Sequence, residues 1–238
     1  MNKPIYRFLA DRKWREYRRK ILIQRITQMK VVPDVLPHID PVVDVKLSFG
    51  RRPVQPGEFV ESRVSSTPAK LNVQSFERGE KLVTIAVVDS DVPNLKTDGF
   101  DYRCHFLAAN VPISPTNTVI NLEKLSAESQ VLLPWLPPFS QKGSPYHRLS
   151  VFVLEQKDQK PLDIAAVGAK VQRDDFRLRG FETRNQLKPI GAHLFRTQWD
   201  EGTFDVMKEA GIEGADIEFR RKRIEPLPYK RRNPASFR

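Results

Sequence analysis

Asp89 and Asp91 stand two residues apart in Val87-Val88-Asp89-Ser90-Asp91-Val92-Pro93, where an apolar run meets a turn. Two carboxylates at that spacing could bind a cation, share a proton or satisfy the amides of the turn. Two histidines stand at the heads of further apolar runs: His105 in Arg103-Cys104-His105-Phe106-Leu107, and His147 in His147-Arg148-Leu149 after Pro137-Pro138 and Gly143. Either histidine with Asp89 as orienter has the residue types of a general base, but the sequence offers no identifiable nucleophile or oxyanion donor, so no catalytic residue is expected. Cys104 reads as an inert thiol, His38 and His193 as isolated histidines, and Phe195 and Trp199 as core aromatics. Phosphate-cradling glycine loops, Gly-x-Ser-x-Gly and His-Glu-x-x-His are absent from the sequence. Neither a metal site nor a cofactor is expected.

The elements that must position these residues are mostly strands. Val43 to Phe49 alternates apolar and polar residues, as a half-buried strand does. Leu71 to Val73, Leu82 to Val88, Phe106 to Val111, Leu149 to Leu154 and Ala192 to Trp199 read as further strands. Leu82 to Val88 is nearly all apolar and so central in a sheet. Helices are expected around Leu122 to Gln130, Gln172 to Gln186 and Glu201 to Ala210. At the N-terminus, Trp14, Tyr17, Ile21, Leu22 and Ile26 recur at helical spacing, with Asp11 as N-cap and no Pro or Gly from Lys13 to Val32. The divisions are a basic amphipathic helix over 1–32, a Pro-rich extended linker over 33–41, a domain over 42–217 and a basic tail over 218–238. The fold class is mainly β (α+β).

Charge follows the same divisions. The 238 residues carry 40 Lys plus Arg against 29 Asp plus Glu, a net of +11. Residues 1–30 hold +8 and residues 218–238 hold +6, leaving the 187 residues between them at −3. Cationic ends on a mildly acidic core are expected to meet a polyanion: nucleic acid, an anionic membrane surface or an acidic protein. The contact residues expected on the first arm are Arg12, Lys13, Arg15, Arg18, Arg19, Lys20 and Arg25. On the second they are Arg220, Arg221, Lys222, Arg223, Lys230, Arg231 and Arg232. The helix's apolar stripe packs either on its own core or on another protein. One cysteine excludes an intrachain disulfide and a cysteine-built zinc site. No apolar run reaches the roughly 20 residues of a membrane-spanning helix.

The acidic turn Asp-x-Asp-x-Pro, the His-Phe strand entry, and Pro-Pro followed by Gly and His-Arg, in this order, resemble the phosphatidylethanolamine-binding protein family. Leu187-Lys188-Pro189-Ile190-Gly191-Ala192-His193-Leu194-Phe195 through Gln198-Trp199-Asp200 resembles that family's last core strand and helix entry. The resemblance covers about residues 40–210. It implies a β-sandwich core with flanking helices and an anion pocket built from Asp89, Asp91, His105 and His147, in which imidazoles donate to phosphoryl oxygens and carboxylates orient them. Departures from the pattern mark this pocket as vestigial. Ser90 and Cys104 replace the family's Pro and His, Pro134-Trp135-Leu136 replaces a glycine-rich approach, and Leu149 stands where a pocket tyrosine would.

A long Arg-rich N-terminal helix and a basic C-terminal tail on such a core resemble one branch of the family, that of the large subunit of the mitochondrial ribosome, in a fungal-looking form. This resemblance implies a non-enzymatic structural component in the matrix, near the central protuberance, contacting ribosomal RNA and neighbouring mitochondrial ribosomal proteins, with no obligatory small molecule. Met1 is then compatible with an internal start of a longer precursor. The alternative implied by the family is a binding module for phosphate-bearing small ligands, or a partner that regulates a kinase.

Overall fold

Alternation of apolar and polar residues builds the first sheet, in a computed structural model that describes residues 1 and 3–220. β1 (Asp44–Phe49) turns Val45, Leu47 and Phe49 inward. It pairs antiparallel with β2 (Arg52–Val54) and β3 (Lys70–Gln74). A larger antiparallel sheet is made by β4 (Lys81–Asn94), β5 (Gly99–Ile113), β7 (Val131–Leu133), β8 (His147–Gln156) and β9 (Leu187–Thr197), while β6 (Val119–Asn121) joins β3 at the edge of the first. The orders are β2-β1-β3-β6 and β7-β5-β4-β8-β9.

β4 is nearly all apolar from Leu82 to Val88 because both of its faces are covered there. Val83, Ile85 and Val87 face the first sheet, and Ala86 and Val88 face a second apolar layer on the outside. Helices and loops cover that outer layer. The helices among the described residues are α1 (Pro4–Lys13), α2 (Arg19–Gln28), α3 (Val31–Asp34), α4 (Ser62–Ser65), α5 (Ile164–Gly168), α6 (Leu178–Asn185) and α7 (Thr203–Glu209), of which α2, α3 and α6 bury side chains in that layer. α1 runs into α2 through a widened π-turn, Trp14–Arg18. Leu22 and Ile26 of α2 are buried in the outer layer, each burial contributing about 1.5–3 kcal/mol.

Several local expectations change. The N-terminal helix starts at Pro4, a residue suited to a first turn, and Asp11 is interior and bonds Arg15 one turn on. Tyr17 points to solvent, 68% exposed. Residues 33–41, expected as an extended linker, are docked on the body, with Val35, Leu36 and Ile39 buried. Leu122 to Gln130 forms only the 3-10 turn Leu122–Lys124, because the Leu122 amide donates to Ala69 and pulls the chain toward β3. The expected helix from Gln172 begins at Leu178. Residues 173–176 instead lie along β5: Cys104 N donates to Arg173 O, and Phe176 N to Tyr102 O. Trp199 lies beyond β9, 40% exposed, with Lys142 Nζ 5.5 Å from its ring centre.

Candidate functional site

Three strands carry the pocket motif to one end of the larger sheet. Asp89 has Arg103 of β5 and Leu149 of β8 as ladder neighbours. β4 pairs Val87 with Phe106 and Val88 with Cys104, so His105 is the extra residue of a β-bulge. A bulge re-aims its side chain, and this one turns His105 toward Asp89. His147 opens β8 and its Nδ1 donates to Asp89 Oδ2 at 2.7 Å. A carboxylate only accepts, so Nδ1 bears the hydrogen, and Nε2 faces the Ser144 hydroxyl at 3.2 Å. His105 Nδ1 donates to the Leu136 carbonyl at 3.0 Å, leaving Nε2 3.8 Å from Asp89 Oδ2, beyond hydrogen-bond length. All three side chains are buried. Burial alone would raise the Asp89 carboxyl, but the facing His147 and His105 outweigh it and hold it well below the ordinary aspartate range.

Asp91 does not join them. Its carboxylate is held by Arg148, whose Nε donates to Oδ2 at 2.8 Å and whose Nη2 donates to Oδ1 at 2.6 Å. The Arg148 amide donates to Oδ2 as well, at 2.8 Å. Arg148 Nη1 continues to the Met29 carbonyl at 2.7 Å and to Asp34 Oδ2 at 2.9 Å. One residue of the His-Arg pair therefore faces the pocket, and the next ties the end of α2 to the sheet. Leu149 is fully buried in the inter-sheet core.

A cavity of about 400 Å3 opens beside His147, lined also by Arg103, Leu136, Phe139 and Arg173. Phe139 lies between Arg103 and His105, its ring centre 5.3 Å from the guanidinium and 6.3 Å from the imidazole. Trp135 does not fill this space. It turns into the sandwich against Phe49 and Phe106, and its indole donates to the Ser65 carbonyl at 3.2 Å. The segment after α7 crosses the cavity mouth: Ile212 and Glu213 line it, Gln141 Nε2 donates to Gly214 O at 2.9 Å, and Phe219 N to Lys142 O at 2.7 Å. Gly143, at φ +80°, sits against the Phe219 carbonyl, where any Cβ would collide.

The basic residues read from the N-terminal arm divide into two groups. Arg12 pairs with Glu16 and Arg15 with Asp11, each at 2.8 Å. Arg18 reaches Asp44 of β1 at 2.7 Å, while Arg19 holds Asp40 and the Pro41 carbonyl, so these two fasten the helix to the body. Lys13, Lys20 and Arg25 are exposed and free of ion pairs among the described residues. Arg220 lies 3.4 Å from Glu218. Arg221, Lys222, Arg223, Lys230, Arg231 and Arg232 lie outside the described residues.

Two side chains were not singled out as site residues in the sequence. Ser144 completes a row with His147 and Asp89, and its only sequence trace is its place three residues before the histidine. His193 is buried between the N-terminal helix and the first sheet, in a space of about 470 Å3 lined by Trp14, Arg18, Leu22, Val45 and Val54. Its Nδ1 has no hydrogen-bond partner among the described residues, and burial pushes its pKa down to about 4.

Residues 51–193 match the family model described as phosphatidylethanolamine-binding protein. Among curated proteins, the chain is similar to "Large ribosomal subunit protein mL38" of Schizosaccharomyces pombe, 29% identical over 230 residues, covering 94% of this chain and 71% of that protein. Among solved structures, the phosphatidylethanolamine-binding protein from Plasmodium vivax superposes with a TM-score of 0.57 at 17% identity, over 75% of this chain and 97% of its own. Carboxypeptidase Y inhibitor, solved with its cognate proteinase, gives 0.59 at 14% identity, over 76% and 96%. The two solved structures share this chain's fold over those spans. With the Asp89–His147 pair, the bulged His105 and the matched span in place, this chain belongs to the phosphatidylethanolamine-binding protein family.

Proposed function

We propose that this chain is a structural constituent of the large subunit of the mitochondrial ribosome, acting in the matrix and not as an enzyme. The observation that carries the reading is the reach of its likeness to the large-subunit protein. It covers 94% of the chain, well beyond the family domain at residues 51–193, and so takes in much of the two ends that lie outside the family model. The free cations Lys13, Lys20 and Arg25 are suited to ribosomal RNA phosphates, which they would contact without reading sequence. On α1, Ile5, Phe8 and Leu9 form a stripe that is 51–61% exposed, an apolar face for a neighbouring protein.

The pocket supports the same reading. Asp89 is engaged by His147, Asp91 by Arg148, and His105 is wholly buried, so the motif works as an internal brace and its anion site is vestigial. The Asp89–His147–Ser144 row resembles a hydrolase relay, but its backbone geometry opposes acyl transfer. The Ser144 amide donates to the Gln141 carbonyl at 3.0 Å, and the next residue is Pro145, which has no amide hydrogen. Neither can serve an oxyanion beside the hydroxyl.

Gradient sedimentation of a variant tests the proposal. Reversing Lys13, Lys20 and Arg25 to Glu and removing residues 221–238 leaves the buried stripe of α2 intact. Loss of co-sedimentation with the large subunit is the expected result, and undiminished co-sedimentation would sink the anchoring role.

A further inference from the structure

A groove of about 640 Å3 runs between α6 and the segment 170–177, on a part of the body that neither terminus supplies. Lys170, Arg177, Arg179 and Arg184 line it, all exposed. The Lys170 and Arg184 side chains make no hydrogen bond or ion pair among the described residues, and Arg179 is opposed by Glu182. The groove's two carboxylates are already engaged, Asp174 by Arg103 at 2.7 Å and Asp175 by Arg177 at 3.1 Å. Residues 170–188 hold six basic and three acidic side chains, within a stretch, 31–217, that is net −3. The surplus is therefore local rather than a sample of a generally basic surface.

Gly180 is an independent observation. It lies inside α6, where glycine is less favourable than alanine, yet a Cβ there would meet nothing within 4 Å. Nothing among the described residues requires glycine at that position. Its neighbours one turn away are Arg177, Thr183 and Arg184, so bare helix backbone is partly exposed between two guanidinium groups. That is a surface built for close approach by another chain.

We infer that this groove seats the phosphodiester backbone of RNA. Protein interfaces take their central energy from apolar and aromatic anchors. Here Phe176, Leu178 and Phe181 are buried in the body, leaving mostly Arg, Lys, Gln and Thr side chains outside, the types that hold phosphates and sugars, beside Val171 and the two arginine-paired carboxylates Asp174 and Asp175. The choice of RNA over other polyanions rests on the ribosomal reading; the groove's charge and shape do not.

Titration of the full chain with a fluorescent RNA duplex over a range of salt concentrations tests it. In the variant carrying Lys170→Gln, Arg179→Gln and Arg184→Gln, the slope of log affinity against log salt should fall by about 2 to 3. Gly180→Ala should weaken binding several-fold without changing that slope, while thermal melting shows the fold intact. Parent-like affinity and slope in the triple variant would overturn the inference. So would a triple variant that loses polyglutamate binding but keeps RNA binding, which would assign the groove to an acidic protein. Failure to co-sediment with the ribosome, with the RNA effects retained, would remove the ribosomal reading and leave the groove standing.

Discussion

Arg148 grips both oxygens of Asp91, and the same guanidinium reaches the Met29 carbonyl and Asp34 at the end of the N-terminal helix. The acidic turn and the His-Arg pair, which in the sequence read as pocket residues, thus do two jobs on opposite sides of one strand end. Asp89 and His147 brace the pocket interior, while Asp91 and Arg148 lock the helical arm onto the sheet. That lock adds to the Arg18–Asp44 and Arg19–Asp40 contacts in fixing the helix that carries Lys13, Lys20 and Arg25.

Replacing Arg148 with Gln should destabilise the protein by about 2–3 kcal/mol, because it leaves the half-buried Asp91 carboxylate without its charged donors. Urea unfolding gives the magnitude. Hydrogen exchange locates it, with faster exchange expected in residues 19–28 than in β8. An unchanged urea midpoint would show that the clamp contributes nothing.

Stability should fall between about pH 6.5 and 4 on account of His193. The unfolded histidine takes up a proton below 6.5, whereas the buried imidazole resists until about 4. The unfolded state therefore binds more protons across that window, and the protein loses up to about 3 kcal/mol as pH drops through it. His193→Gln should flatten that part of the stability profile. Asp89 acts lower: its folded carboxyl is held below the unfolded value, so its contribution is present at neutral pH and is lost as pH falls below about 4.

Strand patterning was the most legible feature of the sequence, because the burial that fixes it is local. Val45, Leu47 and Phe49 alternate, and β4 announced its central place by being apolar on both faces. Asp89, His105 and His147 each read as strand-end residues, and it was the family resemblance that grouped them into one pocket. That Asp91 stands apart from them was not legible, since its direction is set by Arg148, 57 residues away. The helix expected from Gln172 starts late for a comparable reason. The open edge of β5 at Tyr102 and Cys104 captures the backbone of residues 173–176 before a helix can start.

Cys104 should resist thiol reagents in the native protein at neutral pH. Burial pushes its pKa up to about 12, so almost no thiolate is present, and the sulfur is inaccessible. Modification should follow global unfolding and proceed at the unfolding rate. Rapid labelling of the native chain would contradict the packing described around it.

Gly143→Ala should release residues 212–219 from the mouth of the cavity. The new methyl group collides with the Phe219 carbonyl, and the backbone at φ +80° disfavours any side chain. Limited proteolysis should cut this segment faster than in the parent, with the melting of the sandwich little changed. Equal cleavage rates would show that the segment is not held there.

The most direct test of the account is where the intact chain migrates when a mitochondrial lysate is fractionated on a density gradient before and after ribonuclease. The account predicts co-migration with large-subunit RNA and a shift after digestion. A chain that stays at the top of the gradient as a free 27.5 kDa protein in both cases would contradict it.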